Sequence, residues 1–283
     1  MNTISSNYQL SNGQMIPVVG FGTWQAPDGN VAEKAVLDAL EAGYRHIDTA
    51  SIYKNEASVG RAIKKSGIKR EELFLTTKLW NDSHSYEKAT KAIDDSLKRL
   101  DVDYVDLYLI HWPNPLEIRG EYSKWNAESW QAMEEAVEAG KIKSIGVSNF
   151  HPHHLEELLK TAQIKPVVNQ IFLNPSDHQA KIVEFCQKQD ILLEAYSPLG
   201  TGKILGLNEL NDIAKRYNKT SAQVVLRWSL QKGFLPLPKS VTPERIKENL
   251  AIFDFELSKE DMTLLDQLEG KAGFAKDPDN VDF

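Results

Sequence analysis

A single cysteine, Cys186, excludes an intrachain disulfide. It sits in the apolar helical stretch Ile182-Val183-Glu184-Phe185-Cys186, which predicts a small buried hydrophobe rather than a reactive thiol. No apolar run approaches the roughly 18 residues of a membrane span. The opening residues, Met1-Asn2-Thr3-Ile4-Ser5-Ser6, lack a basic segment followed by an apolar one, so no signal peptide is expected and the cytoplasm is the expected location. Positive charge is not in excess either: 33 Lys and Arg face 40 Asp and Glu, for a net charge of -7. That balance argues against nucleic acid or an anionic membrane as the main partner, while leaving room for a small basic pocket. Two nucleotide motifs are incomplete. Gly20-Phe21-Gly22 never reaches the third glycine of a Rossmann fingerprint. Gly200-Thr201-Gly202-Lys203 is followed by Ile204 where a P-loop needs Ser or Thr, and Ser197 stands where its first glycine belongs.

What is present is an alternation of strand and helix signals along 283 residues, the size of one α/β barrel. Asn12-Gly13 between two short apolar runs predicts a β-hairpin ahead of the main fold. Strands are then expected over 19–22, 45–48, 73–78, 104–111, 144–147, 167–170, 192–196 and 234–237. Helices are expected over 31–42, 56–65, 86–100, 130–139, 155–162, 180–188, 207–217, 221–232, 244–250 and 258–268. Ala89, Ala92, Ile93, Ser96, Leu97 and Leu100, for example, share one helical face. Eight β-then-α units predict a closed (β/α)8 TIM barrel as one domain over 1–283, with the N-terminal hairpin and extra C-terminal helices as additions. The competing architecture is an open, doubly wound sheet. The stretch 113–125 is too long for a plain connector and reads as a substrate loop.

Parallel barrels build their sites at the carboxyl ends of the strands. Reading off those ends gives Thr23 and Trp24; Asp48 with Tyr53 beyond it; Lys78 and Trp80; His111 and Trp112; Ser148 and Asn149; Gln170; Tyr196 and Ser197; and Lys239 and Ser240. A phenol, an ammonium, a carboxylate and an imidazole gathered at one edge make a proton-transfer site. Lys78 is expected to lower the pKa of Tyr53, with Asp48 holding the lysine charged and oriented. Tyr53 would then give a proton to a carbonyl oxygen that His111 fixes in place. Such a site supplies a proton but no electrons, so a hydride donor must bind beside it. Trp24, Trp80 and Trp112 are expected to wall the substrate pocket. The run Pro238-Lys239-Ser240-Val241-Thr242-Pro243-Glu244-Arg245 places basic side chains at a helix start, an anion site suited to a phosphate on a cofactor's ribose. The bland alternative is ordinary capping by Thr242. His151-Pro152-His153-His154 suggests metal binding, but no convergent carboxylate is visible in the sequence, so no metal is expected.

These residues together resemble the aldo-keto reductase family. The resemblance rests on Gly43-Tyr44-Arg45-His46-Ile47-Asp48-Thr49-Ala50 with Tyr53, Leu107-Tyr108-Leu109-Ile110-His111-Trp112-Pro113, Ile145-Gly146-Val147-Ser148-Asn149-Phe150, Ala195-Tyr196-Ser197-Pro198-Leu199-Gly200 and the Lys239 to Arg245 run. It implies a catalytic set of Asp48, Tyr53, Lys78 and His111, and NADPH-dependent reduction of aldehydes and ketones. It also implies that Ser148, Asn149 and Gln170 bind the nicotinamide amide and that Tyr196 stacks on its ring. Ser197, Leu199 and Gly202 would line the pyrophosphate path, and Lys239, Ser240, Thr242 and Arg245 would take the 2′-phosphate. Glu248 and Asn249 would lie near the adenine, with Thr23, Trp24 and Val241 completing the cofactor set. After Gln170 the chain departs from the usual family pattern, reading Ile171-Phe172-Leu173-Asn174-Pro175. The tail after Leu268 is short, as in bacterial members similar to 2,5-diketo-D-gluconate reductases, which implies an open pocket for small polar carbonyls and a monomer. A different class of reading is an NADPH-binding sensor or scaffold barrel with little turnover. A glycoside hydrolase would need a carboxylate pair at the strand ends, whereas Asp48 is engaged with Lys78 and Glu194 lies within a strand.

Overall fold

The computed structural model describes residues 3–283. The chain opens with β1 (Asn7–Gln9) and β2 (Met15–Pro17), antiparallel with Tyr8 opposite Ile16, turning at Gly13 in a left-handed conformation. Then come β3 (Phe21–Gly22), α1 (Asn30–Ala42), β4 (His46–Asp48), α2 (Glu56–Ser66), β5 (Phe74–Leu79), α3 (Tyr86–Leu100) and β6 (Val105–Ile110). They are followed by α4 (Tyr122–Glu138), β7 (Ile142–Ser148), α5 (Pro152–Leu159), β8 (Val168–Phe172), α6 (Ala180–Lys188) and β9 (Leu192–Tyr196). Two helices, α7 (Asn208–Arg216) and α8 (Ser221–Gln231), precede β10 (Leu235–Leu237), and α9 (Pro243–Leu250) and α10 (Lys259–Asp266) complete the set.

Strands β3 to β10 form one eight-stranded sheet in sequence order, and each successive pair from β3 to β10 is parallel. Gly20 N–H donates to the Pro236 carbonyl at 3.1 Å and Gly22 N–H to that of Pro238 at 3.0 Å, joining the first strand region to the last. The sheet therefore closes into the expected (β/α)8 barrel. Its strands are buried on both faces: every residue of β5 and of β8 is buried. Outward side chains such as Leu75, Leu79, Tyr108 and Ile110 pack under the helices. Inward ones, including Phe74, Leu107, Leu109, Val168, Leu235 and Leu237, pack with Leu10 and Ile16 of the hairpin. The hairpin thus plugs the amino end of the barrel, burying side chains worth roughly 1.5–3 kcal/mol each. Only the carboxyl end is left for a pocket. Gly146 in β7 permits this packing, since a Cβ there would lie 2.7 Å from the Val168 carbonyl and 2.8 Å from a Leu109 methyl.

The helix after the fourth barrel strand differs from expectation. Instead of a loop over 113–125 and a helix from 130, a 3-10 segment (Leu116–Glu121) leads directly into α4 at Tyr122. Its first turns bury polar residues: Asn126 Nδ2 donates to the Pro113 carbonyl at 2.9 Å, and Ser129 is fully buried. Polar residues on the inward face interrupt the apolar period by which a helix is recognised.

Candidate active site at the carboxyl end of the barrel

Register brings the polar side chains together. Ser148, Gln170 and Glu194 are cross-strand neighbours in β7, β8 and β9, while Asp48 closes β4 and Lys78 lies near the end of β5. Lys78 is fully buried. Its ammonium donates at 2.8 Å to Asp48 Oδ1, to Asp48 Oδ2 and to the Thr49 carbonyl, which uses all three of its protons. The adjoining backbone is braced by Asn55, whose Oδ1 accepts from the Thr49 hydroxyl at 2.8 Å and whose Nδ2 donates to the Thr23 carbonyl at 3.0 Å.

Tyr53 stands in the short 3-10 turn after β4, with Lys78 Nζ 5.1 Å from its ring centroid. His111 meets the same ring edge-on at 5.8 Å. Burial pushes the Tyr53 phenol well above its ordinary pKa, and the nearby Asp48 carboxylate pushes it the same way. The lowering by Lys78 expected from the sequence does not prevail: desolvation raises the phenol, and the Asp48 carboxylate paired with Lys78 adds to that rise. Tyr53 is a protonated phenol at neutral pH. His111 is driven well below its usual value, first by burial and then by the Lys78 charge, so its imidazole is neutral. Its Nδ1 is buried without a partner among the described residues.

Glu194 was not among the expected site residues. Gln170 Nε2 donates to Glu194 Oε2 at 2.8 Å and to Asp48 Oδ2 at 2.9 Å. Burial, then the Asp48 charge, raises Glu194 to about 8. The one available signal was a charged residue inside the apolar run Leu192-Leu193-Glu194-Ala195-Tyr196.

Of the three expected pocket tryptophans, Trp80 packs edge-on against His111 at 5.1 Å and Trp112 is buried. Trp24 is 45% exposed at the rim. The tail lies against this wall. Phe283 stacks on Trp80 at 6.0 Å and meets Trp112 edge-on at 5.2 Å, while its carbonyl accepts from Leu116 N–H at 2.9 Å. Short as it is, the tail reaches the pocket rim.

The remaining expected residues follow a path around the same end. Asn149 and Ser197 both adopt left-handed backbone, with φ of 62° and 45°, a strained conformation that concentrates at binding sites. Asn149 is tied internally: Nδ2 donates to the His111 carbonyl at 3.0 Å, and Oδ1 accepts from the Tyr196 hydroxyl at 2.8 Å. The Ser148 hydroxyl donates to the Gln170 carbonyl at 2.7 Å. Leu199 is half-buried, and Gly202 turns with φ of 91°. Asn174, in the segment that departs from the usual pattern, has a buried Nδ2 with no partner among the described residues.

A phosphorylated dinucleotide fits these residues at one further place. Lys239, half-buried after β10, and exposed Arg245 in α9 have no carboxylate partner among the described residues, although the chain is acidic. Thr242 makes no side-chain cap to α9, so the capping alternative fails; instead the Ser240 hydroxyl accepts from Thr242 N–H at 3.0 Å. Two unpaired cations beside an uncapped helix start suit a phosphate. Val241 is exposed, Asn249 is buried, and Glu248 accepts from the Thr220 hydroxyl at 2.8 Å. The histidine run also differs from expectation: the fold brings Asp279, remote in sequence, against it, with Oδ2 3.0 Å from His153 Nε2.

Residues 18–269 match the Aldo/keto reductase family. The chain is 47% identical over 281 residues to the glyoxal reductase of Bacillus subtilis, covering 99% of each. It is 43% identical over 273 residues to the methylglyoxal reductase DkgA of Escherichia coli, covering 96% of each. The crystal structure of an aldo-keto reductase from Bombyx mori in complex with NADP superposes with a TM-score of 0.86 at 37% identity, covering 95% of this chain and 94% of that one. With its buried lysine and histidine and half-buried tyrosine at the barrel mouth and relatives aligned over nearly their full length, this chain belongs to the aldo/keto reductase family and is an oxidoreductase.

Proposed function

We propose that this chain reduces small aldehydes and ketones to alcohols, with Tyr53 as the proton donor, Lys78 and Asp48 as its support, and His111 as the group that positions the carbonyl oxygen. The observation that carries this reading is the buried Lys78 ammonium, saturated by Asp48 and Thr49, beneath a protonated Tyr53 and beside a neutral His111. As negative charge develops on the substrate oxygen, the phenol donates its proton and the imidazole hydrogen-bonds the same atom. NADPH, when bound, supplies the hydride.

Lys239, Ser240, Thr242 and Arg245 would hold the phosphate on its ribose, with Val241, Glu248 and Asn249 beside the adenosine. Ser197, Leu199 and Gly202 would follow the pyrophosphate. Ser148, Asn149, Gln170 and Tyr196 would seat the nicotinamide; the Gln170 amide nitrogen is engaged by Asp48 and Glu194, which leaves its carbonyl oxygen to accept. Thr23 and Trp24 would border the cofactor. Trp24, Trp80 and Trp112 would wall the substrate side, where Phe283 narrows the mouth and favours small carbonyls.

The names of the two reductase relatives make glyoxal and methylglyoxal the first substrates to try. All four proposed catalytic residues come from one chain, which supports action as a monomer, and a cytoplasmic setting is part of the same proposal. Among the described residues no helix is long and apolar enough to cross a membrane.

The test is loss of NADPH absorbance with glyoxal, methylglyoxal, a diketo-sugar acid and an aldose, repeated with NADH. Carbonyl-dependent oxidation that prefers NADPH supports the reading. Tight NADPH binding with no oxidation of any carbonyl would overturn it in favour of a sensor.

A further inference from the structure

Where α5 begins, three imidazoles crowd together. The rings of His153 and His154 lie 3.9 Å apart, and the His151 ring lies 5.9 Å from one and 5.8 Å from the other. Pro152, at the first helical position, fixes the backbone between His151 and His153. The carboxylate missing from the local sequence comes from the C-terminal tail as Asp279.

The three imidazoles have different roles. His154 is buried, and its Nδ1 accepts from the His151 backbone N–H at 3.0 Å. The proton of a neutral ring must then sit on Nε2, which donates to Asp279 Oδ1 at 2.9 Å. Asn114 Nδ2 donates to the same oxygen at 2.7 Å. Two donors thus orient Asp279 through Oδ1 and leave Oδ2 directed at His153 Nε2, 3.0 Å away. One ligand atom each from His151, His153 and Asp279 lies within 4.8 Å of the others.

We propose that His151, His153 and Asp279 form a site for a borderline divalent cation of the Zn2+ class, and that its occupancy fastens the C-terminal tail to the start of α5. Two imidazoles and one carboxylate are a donor set that Zn2+ accepts, at ligand distances of about 2.0–2.2 Å and with a fourth position left to water. Tetrahedral bonds of that length set ligand atoms roughly 3.3 Å apart, so His153 and Asp279 need little movement. Binding closes a ring of long-range contacts rather than a local turn, because His153 and Asp279 are far apart in the chain. A carboxylate already oriented by His154 and Asn114 is the outer support that metal ligands commonly have. The tail continues from Asp279 through Val281, whose carbonyl accepts from Arg119, to Phe283 on Trp80 and Trp112. The cation would therefore hold the segment that narrows the proposed pocket, although the metal site itself does not depend on the proposed reaction.

The experiment is calorimetric titration of the untagged, chelator-stripped chain with Zn2+, alongside His153→Ala and Asp279→Asn, with thermal melts confirming that both variants fold. We expect one equivalent bound, weakened about tenfold or more in each variant. No binding, or equal binding by Asp279→Asn and the unaltered chain, overturns the site; equal binding would place the ion on the histidines alone. Limited trypsin digestion at Lys271 and Lys276 reads the second half of the proposal. Zn2+ should slow release of the tail from the unaltered chain and not from Asp279→Asn. Binding of one equivalent without protection would refute the fastening.

Discussion

Gln170 donates through one nitrogen to both Glu194 and Asp48, holding two buried carboxyl groups on either side of a single amide. Two ionised carboxylates there would repel each other. Glu194, pushed up to about 8, keeps its proton at neutral pH while Asp48 faces Lys78. Because its folded pKa is raised, its contribution to stability is fully present below the unfolded value of about 4.5 and is lost as pH rises to about 8. Glu194→Gln removes that dependence. Melting curves should show the variant gaining on the unaltered chain between these pH values and holding a constant difference above them. A constant difference throughout would mean that Glu194 is already ionised.

Tyr53→Phe removes the proposed acid and little else. Turnover should fall by about 100- to 10,000-fold. NADPH affinity, read by fluorescence titration, should stay near that of the unaltered chain. Since Tyr53 stays protonated and His111 neutral at ordinary pH, neither should produce a limb in the reductive pH profile there. A bend near about 8 would belong to Glu194 and should vanish in Glu194→Gln.

Lys78→Met strands the buried Asp48 carboxylate. Denaturant unfolding should show a loss of about 3–5 kcal/mol. Adding Asp48→Asn should recover much of the stability but none of the turnover, because the lost charge pair was mostly self-compensating whereas the proposed support for Tyr53 was not. Recovery of turnover in the double variant would remove Lys78 from the reaction.

Lys239→Ala combined with Arg245→Ala removes two unpaired cations. NADPH should bind about tenfold to a hundredfold more weakly, with NADH little changed. Equal loss for both cofactors, measured by titration, would show that the 2′-phosphate lies elsewhere.

The barrel was readable because its strands are short apolar runs punctuated by glycines, and because Asp48, Lys78 and His111 each follow or end such a run. Those are local signals. What escaped were relationships across long stretches of chain. Asp279 reaches the His151 turn and Phe283 reaches Trp80, yet nothing in either local sequence points to the other. Glu194 was visible as a charge within a strand, but its protonation depends on Gln170 and Asp48 from two other strands. The direction of the Tyr53 shift is not legible in the sequence for a related reason. Proximity of a lysine is legible in a motif, whereas the desolvation of the phenol and the Asp48 charge facing it are properties of the assembled site.

The hydrogen bonds from Gly20 to Pro236 and from Gly22 to Pro238 make a seam where the early chain meets the late chain. Thr23 and Asp48 lie on one side of it, and Lys239 and Ser240 on the other. A ligand spanning those residues would act as a stitch across the seam, and a chain stalled before its last strand would have no complete site to offer. Cofactor binding would then show its largest protection from amide exchange along β3 and β10, the two strands that must part for the barrel to open.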